Sequence, residues 1–598
     1  MSRNPGISRR QLLQSAGAAA GTARLRGAQV SAGAGRRVSV RVDERGAVRV
    51  TTATLEAVIE KGFLTSLRSR RSGEEFLGEF DRAASDALQL VFRGGETIDV
   101  GERRFGQVQA RPVSDGRAEV VFHGWNGDGV LAISADPETG DLLLEPSAFC
   151  SRPGARACRW LLKGIRRDLR LVAPFFQGVS LSLDDPLIRN THWDWPRGWE
   201  AGLAILQSRG GGFWIHTRDN RYRYKSLKVG LGDEAHVLGF DTEAYGPIDD
   251  NLAAGGLVWR INVYDGDWKV PAERYRNWLW EAYGLARQEA ARPEWLGGLR
   301  MAISWCPGKL EILEALTERT DPRKVLIHFP QWRTDRYDEN YPTYEPSENA
   351  RRFIARALEL GFHVMPHFNS LEVDPGNPVY ETVRDFAYRH IETKKLQGWS
   401  WVNRRSIGVP ESNRMRPRYR DKKVMVKIHP GLAMWRSILC GRIAAAARQL
   451  SLREVFCDVT LNTYNLHNCL VEGMTPSEGM NRLLRRVAAL EGGLAVGGEG
   501  LNEITFQAQS FGQVHLFRSW HTSIEGLERT AGPPLNNFLF GRLTRSFGYS
   551  GLGGRNADEE LRARVHEAHE ALPTITIASA ADIVKPTPAV KRALESAR

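Results

Sequence analysis

The chain has 598 residues, of which 42% are hydrophobic and 25% are charged. This length exceeds what one hydrophobic core supports, so two or three domains are expected. No apolar run approaches 18 residues, and the composition is typical of a soluble globular protein, so stable insertion into a membrane is not expected.

The formal net charge of +12 is concentrated at the amino terminus. Residues 1–37 contain seven arginines and no acidic residue, and removing these seven charges leaves +5 for the rest of the chain. That remainder shows no basic patch with interleaved aromatic side chains. A nucleic-acid partner is therefore not expected.

The same amino-terminal segment resembles a twin-arginine export signal. Residues 8–14 read Ser-Arg-Arg-Gln-Leu-Leu-Gln, and residues 15–23 are small and weakly apolar. A small-residue cleavage site follows at Val30-Ser31-Ala32, although Arg24 and Arg26 interrupt the apolar stretch. We predict export to the periplasm or the medium through residues 1–37, with a disordered basic tail as the alternative.

The six cysteines show neither CxxC nor metal-finger spacing. We therefore predict no structural metal and no cofactor. Cys150 and Cys158 are close enough in sequence to pair in an oxidising compartment, and their pairing is left open. Cys457, inside an apolar run, is predicted to be a small buried hydrophobic residue.

Residues 38–290 show the pattern of a β-rich domain. Segments such as Ala118–Phe122 alternate polar and apolar residues between Gly, Asp and Asn turns, and residues 202–216 indicate a hairpin. The first long helical pattern begins at Ala272. Because no helices alternate with these strands, a large β-sandwich is favoured over a barrel.

From residue 291 onward, short apolar runs alternate with amphipathic helical segments, which is typical of βα units. Eight such runs predict a (β/α)8 barrel over residues 291–598, with a long insertion at 371–423. The predicted strands are Leu299–Trp305, Val325–Trp332, His363–Asn369, Val424–His429, Val455–Leu461, Leu494–Glu499, Val514–Phe517 and Thr574–Ala578.

Polar and aromatic side chains gather at the carboxyl ends of these predicted strands, where barrel enzymes hold their chemistry. Two of them, Asp458 and Glu499, end consecutive buried strands. The full set of candidate site residues is Trp305, Trp332, Asp335, His367, Asn369, His429, Asp458, Asn462, Glu499, Asn502 and Glu503.

Cleavage of a glycosidic bond requires two carboxyl groups, and the two strand-end residues supply such a pair. Asp458 suits a nucleophile, because Thr460 and Asn462 could hydrogen-bond its charged form. Glu499, in a Gly-Gly-Glu-Gly turn, suits the acid/base, and Glu503 competes for that role. The alternatives are a rim aspartate paired with an arginine and a glutamate that caps the next helix.

The remaining candidates are predicted to bind substrate, each with a structural alternative. Trp305 and Trp332 could stack on sugar rings or pack in the core. His429 could contact a sugar hydroxyl or serve as a structural hydrogen-bonding group. The conspicuous segment Trp193–Trp199 fits aromatic packing at a domain interface better than a loop at the barrel mouth.

Three segments resemble a bacterial glycosidase-like family that is still catalogued as a domain of unknown function. They lie around His429-Pro-Gly431, Asp458 and Gly498–Glu503, and residues 195–215 resemble the family's β-sandwich part. The family is distantly similar to the endo-α-N-acetylgalactosaminidases. The resemblance implies a galactose mutarotase-like supersandwich before a TIM barrel, with Asp458 as nucleophile and Glu499 as acid/base of a retaining enzyme.

The sequence thus predicts an exported glycoside hydrolase that acts on an oligosaccharide or polysaccharide. The alternative is a carbohydrate-binding protein on the same fold whose carboxylates are poorly placed for chemistry. The sugar, the linkage and the oligomeric state are not predicted.

Overall fold

The structure, a computed structural model, describes residues 38–82, 86–100, 107–123, 127–400, 424–465, 470–516, 526, 530–549, 551–554 and 558–598. The predicted export segment at 1–37 and part of the predicted insertion, 401–423, lie outside these residues. None of the helices in the described ranges is long and apolar enough to cross a membrane.

Twenty strands lie in the described part of residues 39–265, as the alternating patterns predict. They are β1 (Ser39–Val42), β2 (Val48–Thr51), β3 (Leu55–Glu60), β4 (Phe63–Ser69), β5 (Leu88–Phe92), β6 (Thr97–Asp99), β7 (Gln107–Ser114), β8 (Arg117–His123), β9 (Gly127–Ala135), β10 (Leu142–Cys150), β11 (Ala155–Leu162), β12 (Arg170–Ala173), β13 (Val179–Ser182), β14 (Thr191–Asp194), β15 (Leu203–Gln207), β16 (Gly211–His216), β17 (Lys225–Leu231), β18 (Glu234–Glu243), β19 (Ala253–Gly255) and β20 (Trp259–Asp265).

These strands form three antiparallel sheets. A four-stranded sheet has the order β1-β2-β3-β4, and a six-stranded sheet has the order β14-β17-β18-β11-β5-β6. The ten-stranded sheet runs β13-β12-β15-β16-β20-β10-β9-β8-β7, with β19 beside β10. The hairpin predicted at residues 202–216 is confirmed, since β15 and β16 pair from Leu203↔His216 to Gln207↔Gly212.

Tryptophan side chains fill the core between these sheets. Because their rings are enclosed, they contribute packing and cannot stack on a ligand. The fully buried ones are Trp160, Trp193, Trp195, Trp199, Trp214 and Trp259. Cys150 and Cys158 are also buried here, and both are free thiols.

Residues 269–298 form helices that connect the sheets to the second region. The first, α1, begins at Lys269, slightly before the predicted start, and ends at Tyr283, where Gly284 adopts the left-handed conformation that closes a helix (φ 64°). Two short helices follow, α2 (Ala286–Ala290) and α3 (Trp295–Gly298). The domain boundary predicted near residue 290 falls among these helices and stays a prediction.

The remaining strands and helices build a parallel barrel with one small added sheet. The strands are β21 (Met301–Ile303), β22 (Val325–Phe329), β23 (His363–Asn369), β24 (Glu372–Val373), β25 (Gly398–Ser400), β26 (Val424–Lys427), β27 (Glu454–Asp458), β28 (Ala495–Glu499), β29 (Phe511–Val514), β30 (Arg545–Gly548) and β31 (Thr574–Ile575). The helices are α4 (Leu310–Thr317), α5 (Glu348–Leu360), α6 (Tyr380–Val383), α7 (Ala433–Leu450), α8 (Pro476–Ala488), α9 (Leu535–Phe540), α10 (Glu559–Ala568), α11 (Ala581–Val584) and α12 (Pro588–Ser596).

Eight of these strands run parallel in the order β30-β29-β28-β27-β23-β22-β21-β31. Single parallel bridges, Phe547↔Leu572 and Leu552↔Ile575, bring the two edges together, so the barrel is nearly closed. Its strands are buried on both faces; β22, for example, is buried at every residue. This matches strands covered by helices outside and by packed side chains within.

Two of the eight predicted barrel strands are wrong or displaced. Val424–His429 is not a barrel strand, because β26 pairs antiparallel with β24 and β25 while β23 pairs directly with β27. Its apolar alternation identifies a strand but not the sheet it joins. The predicted Val514–Phe517 lies mainly after β29, and β30 was missed because Arg-Ser-Phe-Gly contains only one large apolar residue.

The hydrophobic core of the sandwich extends into part of the barrel region, which also has clusters of its own. Leu501, Ile504 and Phe506, which follow β28, pack in the same cluster as the buried tryptophans of the sandwich. In agreement with this, residues 38–598 group into one compact unit. The β region therefore supports the loop that leaves the end of β28.

Candidate active site in the barrel

A cavity of about 360 Å³ opens at the carboxyl ends of the barrel strands. Asp458 and Glu499 line it from the ends of β27 and β28, which are neighbours in the barrel. The loops after the barrel strands also supply Trp305, Pro330, Gln331, Tyr337, Asp338, Val459, Asn462 and Tyr549, and the small sheet supplies Glu372, Trp399 and Lys427.

Three residues that line the cavity have left-handed backbone conformations that side chains with a Cβ rarely adopt. Their φ angles are 59° at Trp305, 57° at Asp338 and 66° at Val459. The conformation is most costly for Val459, because its side chain is β-branched. Such strain persists where surrounding structure imposes it, and it is concentrated at functional sites.

Asp458 is fixed at the end of its strand by the neighbouring chain. Its carbonyl oxygen accepts hydrogen bonds from the Ser370 hydroxyl at 2.6 Å and the Ser370 amide at 3.1 Å. Its carboxyl pKa is raised well above the usual value, first by burial and then by the charges of Glu499, Asp338 and Glu372. The cavity therefore disfavours having all of its carboxyl groups ionised at once.

Glu499 ends β28 directly after a glycine whose surroundings are crowded. A Cβ atom on Gly498 would lie 1.8 Å from Nε2 of Gln509, so a larger residue there would displace that side chain. The Glu499 carbonyl accepts a 2.6 Å hydrogen bond from the Thr460 hydroxyl. Its side chain, 6% exposed, lies 3.2 Å from Nε2 of His515.

Among the described residues, Lys427 is the only cation that lines the cavity, and it faces Glu372 at 3.4 Å. Glu372 also accepts a 3.0 Å hydrogen bond from Nδ2 of Asn369. Burial raises the pKa of Glu372, and Lys427 opposes this shift. With Asp338, Asp458 and Glu499 nearby, the cavity has more acidic than basic groups.

Of the candidate residues predicted from strand ends, four line this cavity: Trp305, Asp458, Asn462 and Glu499. The others lie outside its lining and have structural partners. Trp332 is fully buried, as in the packing alternative, and donates a 2.8 Å hydrogen bond from Nε1 to the carbonyl of His367. Asn369 is also buried, and its Oδ1 accepts from the amides of Leu371 and Glu372.

Three further candidates are held in loops. Asp335 accepts a 3.0 Å hydrogen bond from Nδ2 of Asn340. Asn502 caps its own turn, with Oδ1 accepting from the amides of Ile504 and Thr505. His429 follows β26 in the small sheet and not a barrel strand, and its Nδ1 accepts from the Gly431 amide at 2.9 Å.

Glu503 lies at the contact between the barrel and the β region. Its Oε2 accepts hydrogen bonds from Nε1 of Trp195 at 3.2 Å, the Gly202 amide at 2.9 Å and the Tyr275 hydroxyl at 3.0 Å. Lys225 also lowers the pKa of this buried carboxyl against the larger effect of burial. Hydrogen bonds thus hold the Glu503 carboxyl group at this contact, whereas Glu499 lines the cavity. Glu499 is therefore the better placed of the two candidates for the acid/base.

Several residues that line the cavity were not among the sequence candidates. Glu372, Trp399 and Lys427 come from the small sheet, and Tyr337 and Asp338 come from the loop after β22. None of them directly follows a barrel strand, so the strand-end rule does not select them. The sequence offers one indication of Lys427, which lies two residues before His429 in the motif Lys427-Ile-His-Pro-Gly431. The sequence analysis selects the histidine of this motif as the candidate and not the lysine.

A potential metal cluster lies in the β region. Ligand atoms of His192, Asp194 and Glu243 come within 4.8 Å of one another. However, Nε2 of His192 is 2.6 Å from the hydroxyl of Ser226, and the Arg156 guanidinium is 3.9 Å from Glu243. A metal ion would compete with the Arg156 guanidinium for the Glu243 carboxylate. We therefore assign no ion to this cluster.

Part of the chain is similar to a described protein family and to a curated protein. Residues 257–473 match the family described as "Domain of unknown function (DUF6259)". This match contains β21–β27 and Asp458 and ends before Glu499. A protein of Bacteroides thetaiotaomicron named "Putative glycoside hydrolase" is 24% identical over 191 residues, which are 31% of this chain and 26% of that protein. The chain thus matches about a quarter of the curated relative.

Solved structures show the fold more completely. The α-N-acetylgalactosaminidase NagBb from Bifidobacterium bifidum, in complex with GalNAc, superposes with a TM-score of 0.63 over 92% of each chain at 14% identity. Its ligand-free form gives a TM-score of 0.62 over 92% of this chain and 93% of NagBb. The two proteins share the fold, a β-sandwich followed by a TIM barrel, as the sequence predicts.

Proposed function

We propose that this protein is a glycoside hydrolase that cleaves O-glycosidic bonds of an oligosaccharide or polysaccharide. One observation carries the proposal: Asp458 and Glu499 end adjacent barrel strands and line the same cavity. Trp305 and Trp399 line it as well and offer aromatic surfaces for a sugar ring. The relative's name and the shared fold with a glycosidase support the same activity.

The electrostatics of the cavity suit a pair of carboxyl groups that share one proton. Burial and the Glu499 charge raise the pKa of Asp458, so ionisation of both carboxyl groups at once is disfavoured. A glycosidase needs one ionised and one protonated carboxyl at its working pH. The cavity provides the conditions for that state.

In the proposed retaining mechanism, Asp458 attacks the anomeric carbon while Glu499 gives its proton to the leaving oxygen. The glycosidic bond breaks as the bond to Asp458 forms, and the ionised Glu499 then takes a proton from water. That transfer restores the acid form of Glu499, and the water oxygen bonds to the same carbon as the bond to Asp458 breaks and leaves Asp458 as a carboxylate. No cofactor takes part in this sequence.

The activity is tested with aryl glycosides of both anomeric configurations, including galactosides and N-acetylgalactosaminides. We expect turnover by the wild type and a loss of about 10³-fold or more in Asp458→Asn, because the nucleophile is removed. Glu454→Gln is the matched control, since Glu454 begins the strand that Asp458 ends and pairs with His363 at 2.8 Å. It should retain activity.

A variant Asp458→Asn that is as active as the wild type would contradict the proposal. Sugar binding by the wild type without turnover of any glycoside would favour the carbohydrate-binding alternative.

We also propose that residues 1–37 direct export, on the basis of their paired arginines and small apolar stretch. Replacing Arg9 and Arg10 by lysine should retain the protein inside the cell, as judged by fractionation. Export that is unchanged in this variant would contradict a twin-arginine signal.

A further inference from the structure

Two buried histidines lie beside the candidate nucleophile and are not used by the proposed mechanism. His328 on β22 and His367 on β23 are enclosed, and Nε2 of His328 is 3.1 Å from Nδ1 of His367. Nε2 of His367 faces Oδ2 of Asp458 at 3.5 Å, and among the described residues that nitrogen has no closer hydrogen-bond partner. The three side chains thus form a line from the barrel interior to the cavity.

The hydrogen bond at Nδ1 of His328 determines which nitrogen of each ring carries the proton. The backbone N–H of Trp305 points to Nδ1 of His328 at 3.4 Å, so that nitrogen accepts. A neutral imidazole has one N–H, and in His328 it therefore lies on Nε2 and donates to Nδ1 of His367. The proton of His367 then lies on its Nε2, which faces Asp458.

Both imidazoles are kept neutral by their surroundings. Burial lowers the pKa of His328 to about 3. Burial also lowers the pKa of His367 well below its usual value, with smaller contributions from His328 and Arg333. Neither ring is expected to gain a second proton at the pH where the enzyme works, so each keeps one donor and one acceptor.

We propose that His328 and His367 form a directed hydrogen-bond chain that presents an N–H donor to Asp458 and makes His367 a positioning residue for the nucleophile. The proposal rests on the proposed glycosidase function. A donor favours the charged form of a carboxyl group, so the chain places the single shared proton on Glu499 and leaves Asp458 as the carboxylate.

The other groups that face Asp458 explain why this donor matters. The charges of Glu499, Asp338 and Glu372 favour its protonated form, and among the described contacts the Val459 amide favours the charged form. Asp458 also interacts with the tyrosines at 337, 341, 344 and 549.

At the second carboxyl of the pair, Nε2 of His515 lies 3.2 Å from Glu499 and can accept from it when Glu499 carries the proton.

The tautomers are tested without any assay of activity. Selective ¹⁵N-histidine labelling of the full chain, with assignments from His328→Gln and His367→Gln, reports which ring nitrogen holds the proton. We expect both residues as neutral Nε2–H tautomers from about pH 5 to pH 8. An Nδ1–H tautomer or an imidazolium at either residue would overturn the chain, whether or not the protein is a glycosidase.

The positioning role is tested by the pH dependence of kcat/KM. His367→Leu removes the donor, so the pKa of Asp458 should rise and the acidic limb should move up by about one pH unit, about tenfold in rate on that side. We expect kcat to fall more than KM changes. His367→Gln, whose amide can donate toward Asp458, should restore part of the wild-type profile.

The matched control is His216→Leu in β16. His216 is also fully buried and lies 3.8 Å from a carboxylate, Asp141, but it belongs to the β region. This variant should lose stability and keep the wild-type pH profile. An unshifted acidic limb in His367→Leu, or an equal shift in His216→Leu, would refute the positioning role.

Discussion

At the scale of single residues, the cavity is organised by charge. In the described part of the chain, Asp338, Glu372, Asp458 and Glu499 line it together with one cation, Lys427. Because burial weakens the screening of these charges, changing one carboxyl should alter the proton affinity of the others. This makes the pH dependence of activity a direct measure of which groups act on Asp458.

Glu372→Gln tests this coupling. The charge of Glu372 raises the pKa of Asp458, so its removal should lower that pKa and move the acidic limb of kcat/KM to lower pH, by less than about one unit. The direction is opposite to that expected for His367→Leu. KM should rise if the side chain contacts the sugar, but the position of the limb is independent of that change.

Lys427→Met provides the complementary variant, because it leaves Glu372 buried without its cation. It should destabilise the fold by about 3–5 kcal/mol, measured by denaturant unfolding.

For Glu372→Gln, an acidic limb of kcat/KM that stays in place or moves to higher pH would show that Glu372 does not act on Asp458.

At the scale of elements, the loop after β28 is held by the β region. Within four residues of Glu499, Glu503 accepts hydrogen bonds from Trp195, Gly202 and Tyr275, and its own amide donates to the Glu200 carbonyl at 2.8 Å. The Trp-rich segment predicted to pack at a domain interface thus contacts the loop that leaves the candidate acid/base. The sandwich supports this loop through these bonds.

Trp195→Phe tests this support by removing the indole N–H while keeping an aromatic ring. We expect a loss of stability of about 1–2 kcal/mol and a fall in kcat of several-fold with a smaller change in KM. Trp214→Phe is the control, since Trp214 is buried in β16 and its Nε1 has no hydrogen-bond partner among the described residues. Equal losses of kcat in both variants would contradict a specific role for the Trp195 bond.

The small sheet shows where prediction from sequence stops at this scale. Strand β26 is recognisable as a strand from Val-Met-Val-Lys, but its pairing with β24 and β25 depends on residues that are distant along the chain. For that reason His429 was assigned to the barrel rim, while Lys427 and Glu372, which line the cavity, were missed. Local periodicity identifies a strand and says little about its neighbours.

At the scale of the whole molecule, the order of sandwich and barrel was predictable because the hydrophobic period changes along the chain. Residues 38–265 alternate between turns, while the later strands are short apolar runs separated by helices. Asp458 and Glu499 were predictable because a carboxyl group that ends a buried strand requires a partner or a function. The packing of Leu501 in the core of the sandwich was not predictable, since it depends on the contact between the sandwich and the barrel.

We propose Asp458 as the nucleophile of a retaining glycosidase. The decisive measurement is incubation of the wild type with a fluorinated glycosyl fluoride of the configuration that the enzyme cleaves, followed by peptide mass spectrometry. We expect a covalent glycosyl adduct on Asp458 that accumulates with loss of activity and is absent in Asp458→Asn. An adduct on another carboxyl group, or a product of inverted configuration, would contradict it.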